Sequence, residues 1–278
     1  MLEMVFGSIM VAIVKYIASD VSVALILMFR YIFCLPILFF IGLKLDGFSH
    51  FRIKNKKILA LRSVSGLLGL SFWYLSVIYL AISKALALGQ IMPVFICLLS
   101  IIFLQEKVGI YRWTAIIFGL LGAIIIIDPG TEGWKNIGFL YIFLGTLFAS
   151  IMFVSLRKLG LTENPIATAF WYNIFGAMVF SIYCFSFLTM ADIPENIWFV
   201  LIIIGLLASA QQAFMAFSHK FASASSLAPL HYVNIPIGIL VGIMVFNEII
   251  DLNFIAGTTL IVGSTLFIIY RENSLAKP

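Results

Sequence analysis

Ten apolar runs follow one another along this chain, at about 2–18, 22–42, 58–80, 83–104, 110–127, 136–156, 165–188, 195–217, 225–246 and 253–270. A helix needs roughly 17–25 residues to cross a bilayer, and the breaks between these runs are short. Backbone in lipid must satisfy its own polar groups, so such runs fold as helices rather than open strands. Composition removes the soluble alternative. The 278 residues are 63% hydrophobic and 10% charged, with mean hydropathy +1.15, whereas a soluble domain carries about 25% charge. No polar stretch reaches even 40 residues, so no separate soluble domain is expected. The predicted fold class is an all-α integral membrane protein of ten transmembrane helices.

The runs repeat. At an offset of 142, Glu248 falls on Glu106, Tyr232 on Gln90 and Ser225 on Ser83. At 143, Lys158 falls on Lys15, Glu163 on Asp20 and Asn173 on Arg30. Each half then holds five spans, an odd number, and the second must enter the membrane from the opposite side. The expectation is two inverted five-helix repeats, 1–130 and 131–278, around a central cavity, an architecture common among secondary transporters.

Charge predicts orientation. With both termini in the cytoplasm, thirteen Lys and Arg, Arg62 among them, fall in inside loops and tails. Three, Lys15, Lys84 and Lys135, fall outside, and Arg30 lies within a span. That asymmetry fits the positive-inside rule. The net charge of +5 therefore reads as membrane orientation, with no nucleic-acid partner. Residues 4–18 lack a basic leader and a small-residue cleavage site, so the first run is expected to stay as a helix. From Leu2 to Ala18 it reaches only about 25 Å, short of a hydrocarbon core of about 30 Å. An upstream start or a shortened gene would account for this.

Motifs for catalysis are missing from the sequence: there is no HExxH, Walker loop, GxSxG or paired CxxC. The expectation is a non-enzyme with no cofactor and no metal. Cys34, Cys97 and Cys184 lie inside apolar runs and read as small buried residues.

The polar residues inside spans are the candidates for chemistry. Arg30, read as the one strong basic group within a span, costs about 2.5–3.5 kcal/mol at the centre of an apolar helix. It either pairs structurally, with Glu106 or a carbonyl, or serves as the counter-charge for a substrate carboxylate. Pro93, Pro229 and Pro236 interrupt the fourth and ninth spans and free carbonyls, which membranes tolerate mainly beside protein or a cavity. Beside them lie Gln90, His231, Tyr232 and Asn234, the expected substrate-binding group. Trp73, Tyr74 and Gln211, with Gln212, Trp171, Tyr172 and Asn173, rank second, as ring faces and hydrogen-bonding groups or as ordinary packing. Glu106 and Glu248 end the fourth and ninth spans. Each reads as a carboxylate tied to nearby helix ends and holding its hairpin, or as a gating latch or proton site. Gly66-Leu67-Leu68-Gly69 and Gly119-Leu120-Leu121-Gly122 read as close helix packing.

LRSVSGLLG, ALALGQIMPVF, FLQEKVGIYRW and GLLGAIII, echoed by SSLAPLHYVNIP and VFNEIIDLNFIAGTTLIVGSTLFII, resemble the EamA branch of the drug/metabolite transporter superfamily. Arg30 in LMFRYIF matches a basic residue that this family often places in its second span. The resemblance covers nearly the whole chain and implies ten helices in two inverted halves with alternating access to a central cavity. The ending TLFIIYRE is similar to that of bacterial S-adenosylmethionine uptake carriers within the family.

The functional expectation is secondary transport of a small organic metabolite, an amino acid or S-adenosylmethionine, across a bacterial inner membrane. Its partners are a small-molecule substrate and the lipid bilayer, with a homodimer left open. The rival readings are a passive pore and a non-transporting or degenerate membrane protein; an intramembrane enzyme comes last.

Overall fold

Wherever the structure, a computed structural model, describes the chain, each apolar run is helical. It describes residues 2–104, 110–127, 135–160, 162–188, 194–221 and 234–275. The helices are α1 (Leu2–Ile17), α2 (Val23–Asp46), α3 (Lys56–Tyr79), α4 (Ile82–Gly89), α5 (Met92–Leu104), α6 (Ile110–Ile127), α7 (Ile137–Gly160), α8 (Pro165–Phe187), α9 (Glu195–Phe221), α10 (Asn234–Phe246) and α11 (Leu252–Leu275). Among the described residues, 5 helices are long and apolar enough to cross a membrane: α2, α3, α7, α8 and α9. The protein is a multi-pass, all-helical membrane protein.

Local chemistry sets the helix ends. The Ser22 and Asn55 side chains accept the Leu25 and Ile58 N–H groups and so cap α2 and α3. Asn164 caps α8, with Pro165 at its first position. Gly47, at φ 64°, stops α2 in a conformation that favours glycine. The long second loop expected at 43–57 is therefore mostly helical: α2 runs on to Asp46, and a 3-10 turn follows over Gly47–Phe51.

The fourth span departs from the expected single helix. It breaks into α4 and α5 at Gln90-Ile91, where the Gln90 N–H turns back to Ala87 and Leu88 carbonyls. Pro93 then sits in the first turn of α5, where a missing N–H costs nothing.

Packing follows membrane rules. Large apolar side chains such as Phe185, Phe199, Leu240 and Met244 point outward, while Ser8, Thr146, Ser150, Asn173 and Ser209 are buried. Several buried hydroxyls are satisfied within their own helices: Thr146 donates to Ile142 O at 2.7 Å and Ser209 to Gly205 O at 2.9 Å. α1 packs on α9, α2 on α8 and α9, α3 on α7, α4 on α10, and α6 on α11. Small residues permit the closest of these approaches. A Cβ on Gly69 would stand 2.9 Å from Ala149 N, and one on Gly145 2.9 Å from Trp73 N. Gly122 likewise lets α6 press on Gly257 of α11. Both Gly-x-x-Gly pairs thus do the packing expected of them. Cys34 and Cys184 are buried free thiols.

Candidate functional site: a two-arginine cavity between the helices

Two arginines face one cavity. Arg30 on α2 and Arg62 on α3 are 3% and 2% exposed, and both line a space of ≈ 230 Å³. This corrects the reading of Arg62 as a loop charge and of Arg30 as the one basic group within a span. α3 begins at Lys56, so Arg62 lies nearly two turns into it and points inward. The asymmetry of loop charge survives its removal.

A tyrosine pair connects the arginines. Tyr31 Oη and Tyr172 Oη are 2.8 Å apart, and their rings meet edge to face. The Arg30 guanidinium lies 5.2 Å from the Tyr31 ring and that of Arg62 4.7 Å from the Tyr172 ring, within cation–π range. Arg62 Nη1 also donates to Thr168 O at 3.1 Å. Glycines make room: a Cβ on Gly66 would stand 2.8 Å from Tyr172, and one on Gly176 2.7 Å from Tyr31.

The break between α4 and α5 forms another wall. Trp73 packs against Gly89, in space a side chain there would occupy, and Gln90 follows on the same wall. The Gln90 amide donates to Leu86 O at 3.4 Å. Opposite, α1, α9 and α10 meet. Ser8 Oγ donates to Asn234 Oδ1 at 3.2 Å, and Gln211 lies over Gly7. Phe6 stacks on Phe214, where α1 packs on α9.

Several buried polar atoms of this cavity have no hydrogen-bond partner: Arg30 Nε and Nη1, Arg62 Nε, Tyr74 Oη and Gln211 Oε1. Buried polar groups are normally satisfied. An orphaned buried group costs roughly 1–3 kcal/mol, more when charged. The arginine and tyrosine donors among them line the same space, so an anionic or acceptor-rich ligand entering it would recover their cost.

The cavity is closed toward the end of α1. Its α1 lining runs from Glu3 to Val11; Val14 and Lys15 lie beyond it, and Val14 is fully buried. There Glu248, just after α10, accepts the Ile82 N–H at 2.5 Å, the Ser83 N–H at 3.1 Å and the Ser83 hydroxyl at 2.7 Å. It thus caps α4, as a carboxylate suits a helix N-terminus. Lys15 lies 3.6 Å from Glu248 and donates to Leu80 O. Glu248 was expected to tie helix ends within its own hairpin. It ties helix ends, but it reaches across to the other half of the chain. At the opposite face Glu163 does the same, accepting the Lys54 and Asn55 N–H groups at 3.1 and 2.9 Å ahead of α3.

Of the expected binding residues, Arg30, Trp73, Tyr74, Gln90, Gln211 and Asn234 line the one cavity. Arg62, Ser8, Gln212 and Tyr172 join them. Among those, Arg62 and Ser8 had no place in the expected site. The signal for Arg62 was its distance into the third run from the Lys56-Lys57 pair. Pro93 and Pro236 are not part of the lining, and Pro236 is exposed. Trp171 donates instead to Phe51 O, and Asn173 to Ala169 O. Glu106, Pro229, His231 and Tyr232 lie outside the described residues.

A membrane bundle around a polar, partly unsatisfied cavity defines a class of small-solute membrane proteins, and the comparisons agree. The chain belongs to the EamA-like transporter family, which it matches over residues 1–128 and 136–270. It is 27% identical to a riboflavin transporter of Brucella anthropi over 84% of this chain and 83% of that one. It is also 23% identical to an S-adenosylmethionine uptake transporter of Rickettsia prowazekii, over 98% and 91%. A crystal structure at 15% identity, covering 99% of this chain and 98% of the other, superimposes with a TM-score of 0.66 and shares the fold.

Proposed function

We propose that this chain is a secondary transporter. It moves a small organic metabolite, of the amino acid or S-adenosylmethionine class, across a bacterial inner membrane by alternating access. The carrying observation is the buried cavity in which Arg30 Nε and Nη1, Arg62 Nε and Tyr74 Oη have no protein partner, in a chain of a transporter family. Arg30 attracts a substrate carboxylate. Trp73, Tyr74, Gln90, Gln211 and Asn234 shape the site; His231 and Tyr232, which lie outside the described residues, are proposed to join them. The relatives' names include both riboflavin and S-adenosylmethionine, so likeness alone leaves the substrate open.

An inverted repeat, 1–130 and 131–278, underlies the mechanism. Helix packing supports it: exchanging the halves turns the α3–α7 contact into the α9–α1 contact, and maps α2–α8 and α6–α11 onto themselves. Loop charge supports cytoplasmic termini. The cavity then opens toward the cytoplasm, and the Glu248 latch closes the outer side. Rocking one half against the other breaks that latch, while Glu106 serves the mirror role on the inner side. Transport, rather than catalysis, is the activity.

Counterflow tests this reading. Proteoliposomes preloaded with one unlabelled metabolite class are offered labelled S-adenosylmethionine, riboflavin or amino acids. Transient accumulation of one label is expected. Unsaturable flux without accumulation would favour a passive pore, and no flux from folded protein a non-transporting one.

A further inference from the structure

We infer that Arg62 is a second anion-binding residue, and that with Arg30 it selects a small organic anion bearing an N–H or O–H donor for Gln211. The inference rests on the transport reading and narrows its substrate.

Arg62 has the burial of a structural arginine without the partner of one. Its protein contacts are the Thr168 carbonyl and the Tyr172 ring, both uncharged, and its Nε has no partner. A buried guanidinium ordinarily finds a carboxylate. Tyr31 and Tyr172 hold Arg62 and Arg30 toward the same space through their hydrogen bond.

Charge balance carries the rest. Among the described lining residues Arg30 and Arg62 bring two positive charges to the cavity wall. An anion offsets that guanidinium charge. S-adenosylmethionine carries a sulfonium, an ammonium and one carboxylate, and would add to it. In a low dielectric such like charges repel strongly. At the other wall, Gln211 Oε1 is a buried acceptor with no donor. An acidic amino acid fits the set: carboxylates for the guanidinium groups, and its ammonium for Gln211. A hydroxy acid or an N-acyl amino acid meets the same chemistry with fewer contacts.

The test is calorimetric binding to the purified full chain in detergent. Matched pairs differ by one charge: L-glutamate and L-glutamine, L-aspartate and L-asparagine, N-acetylglycine and N-acetylglycinamide; S-adenosylmethionine is measured alongside. At least one anion is expected to bind about tenfold or more tightly than its neutral mate and than S-adenosylmethionine. Arg62→Gln should erase that preference, and Arg62→Lys, which keeps the charge but loses the fork, should retain part of it. A purely structural Arg62 would lower stability in both variants and leave the anion-to-neutral ratio of the folded fraction unchanged; that result overturns the assignment. If Arg62→Gln does not fold, Arg62→Lys decides alone, and an unaltered ratio counts against the inference. Wild-type protein with no anion preference in any pair, silence in all three included, also overturns it. Counterflow separates this from the transport reading. Anion preference without counterflow sinks transport alone, whereas counterflow of S-adenosylmethionine without anion preference sinks only the charge selection.

Discussion

The Glu248 carboxylate accepts the Ser83 hydroxyl at 2.7 Å, across 165 residues of chain. It also takes the two backbone N–H groups that open α4, while Lys15 stands beside it. One side chain from the second half therefore finishes a helix of the first and closes one end of the cavity.

Removing that carboxylate exposes its role. Glu248→Ala leaves the α4 N–H groups and Lys15 uncompensated and is expected to destabilise by about 2 kcal/mol, since hydrogen bonds to charged groups contribute roughly 1.5–3 kcal/mol. Ser83→Ala removes one of the same bonds and should cost about 1 kcal/mol. Thermal melting in detergent measures both. Equal melting of wild type and Glu248→Ala would show that the latch carries no energy.

Arg30→Gln should abolish uptake of carboxylate substrates while leaving expression intact. Losing a charge-assisted contact of about 2–3 kcal/mol corresponds to roughly 30- to 150-fold weaker binding. Labelled uptake in cells, normalised to protein in the membrane, reads the effect. Normal uptake removes Arg30 from the site.

Gly89→Ala puts a methyl group where the Trp73 ring lies. The indole must swing toward the cavity, and overpacking of this kind costs about 1–3 kcal/mol. Substrate binding should weaken, with a change in tryptophan fluorescence. Gly263→Ala, whose added carbon meets nothing within 4 Å, is the control and should bind as wild type does. Identical behaviour of the two variants would contradict the packing of Trp73.

Asp251 links folding to pH at the surface. Burial alone would push its carboxyl up, but the Phe254 N–H and Lys84 hold it below the usual carboxylate range. A depressed carboxylate stabilises above its unfolded pKa, about 3.9, and loses that stabilisation as pH falls through its lower folded pKa. The Phe254 N–H, 2.6 Å from Asp251, marks it as the cap of α11. Asp251→Ala should cost about 1 kcal/mol near neutral pH. The gap should narrow once wild type protonates below about pH 4. Melting curves across pH check the sign; a gap that widens on acidification would refute it.

Much of the site was legible because polar groups inside apolar runs are expensive and therefore few. Arg30, Gln90 and Asn234 stood out for that reason, and they line the cavity. Arg62 was misread because a positive charge near a run's end is ordinarily a loop charge; only the position of α3 turns it inward. Pro236 lies on a helix that reaches the cavity through Asn234, but two residues along a helix turn the side chain about 200° away, and Pro236 is exposed. Glu248 was placed at a helix end by its position. Its true partners, Ile82 and Ser83, were hidden by 166 and 165 residues of separation.

By itself the sequence determined that this chain is a helical membrane protein, because hydropathy and run length depend on local composition alone. It also determined which few polar groups had to be accommodated inside. Which of them share a cavity was decided by tertiary structure. Glycines at 66, 69, 89, 145 and 176 let neighbouring helices and rings approach where any side chain would collide. That close packing gathers Arg30, Arg62 and Gln211 around one space, and no local pattern encodes the distance between them.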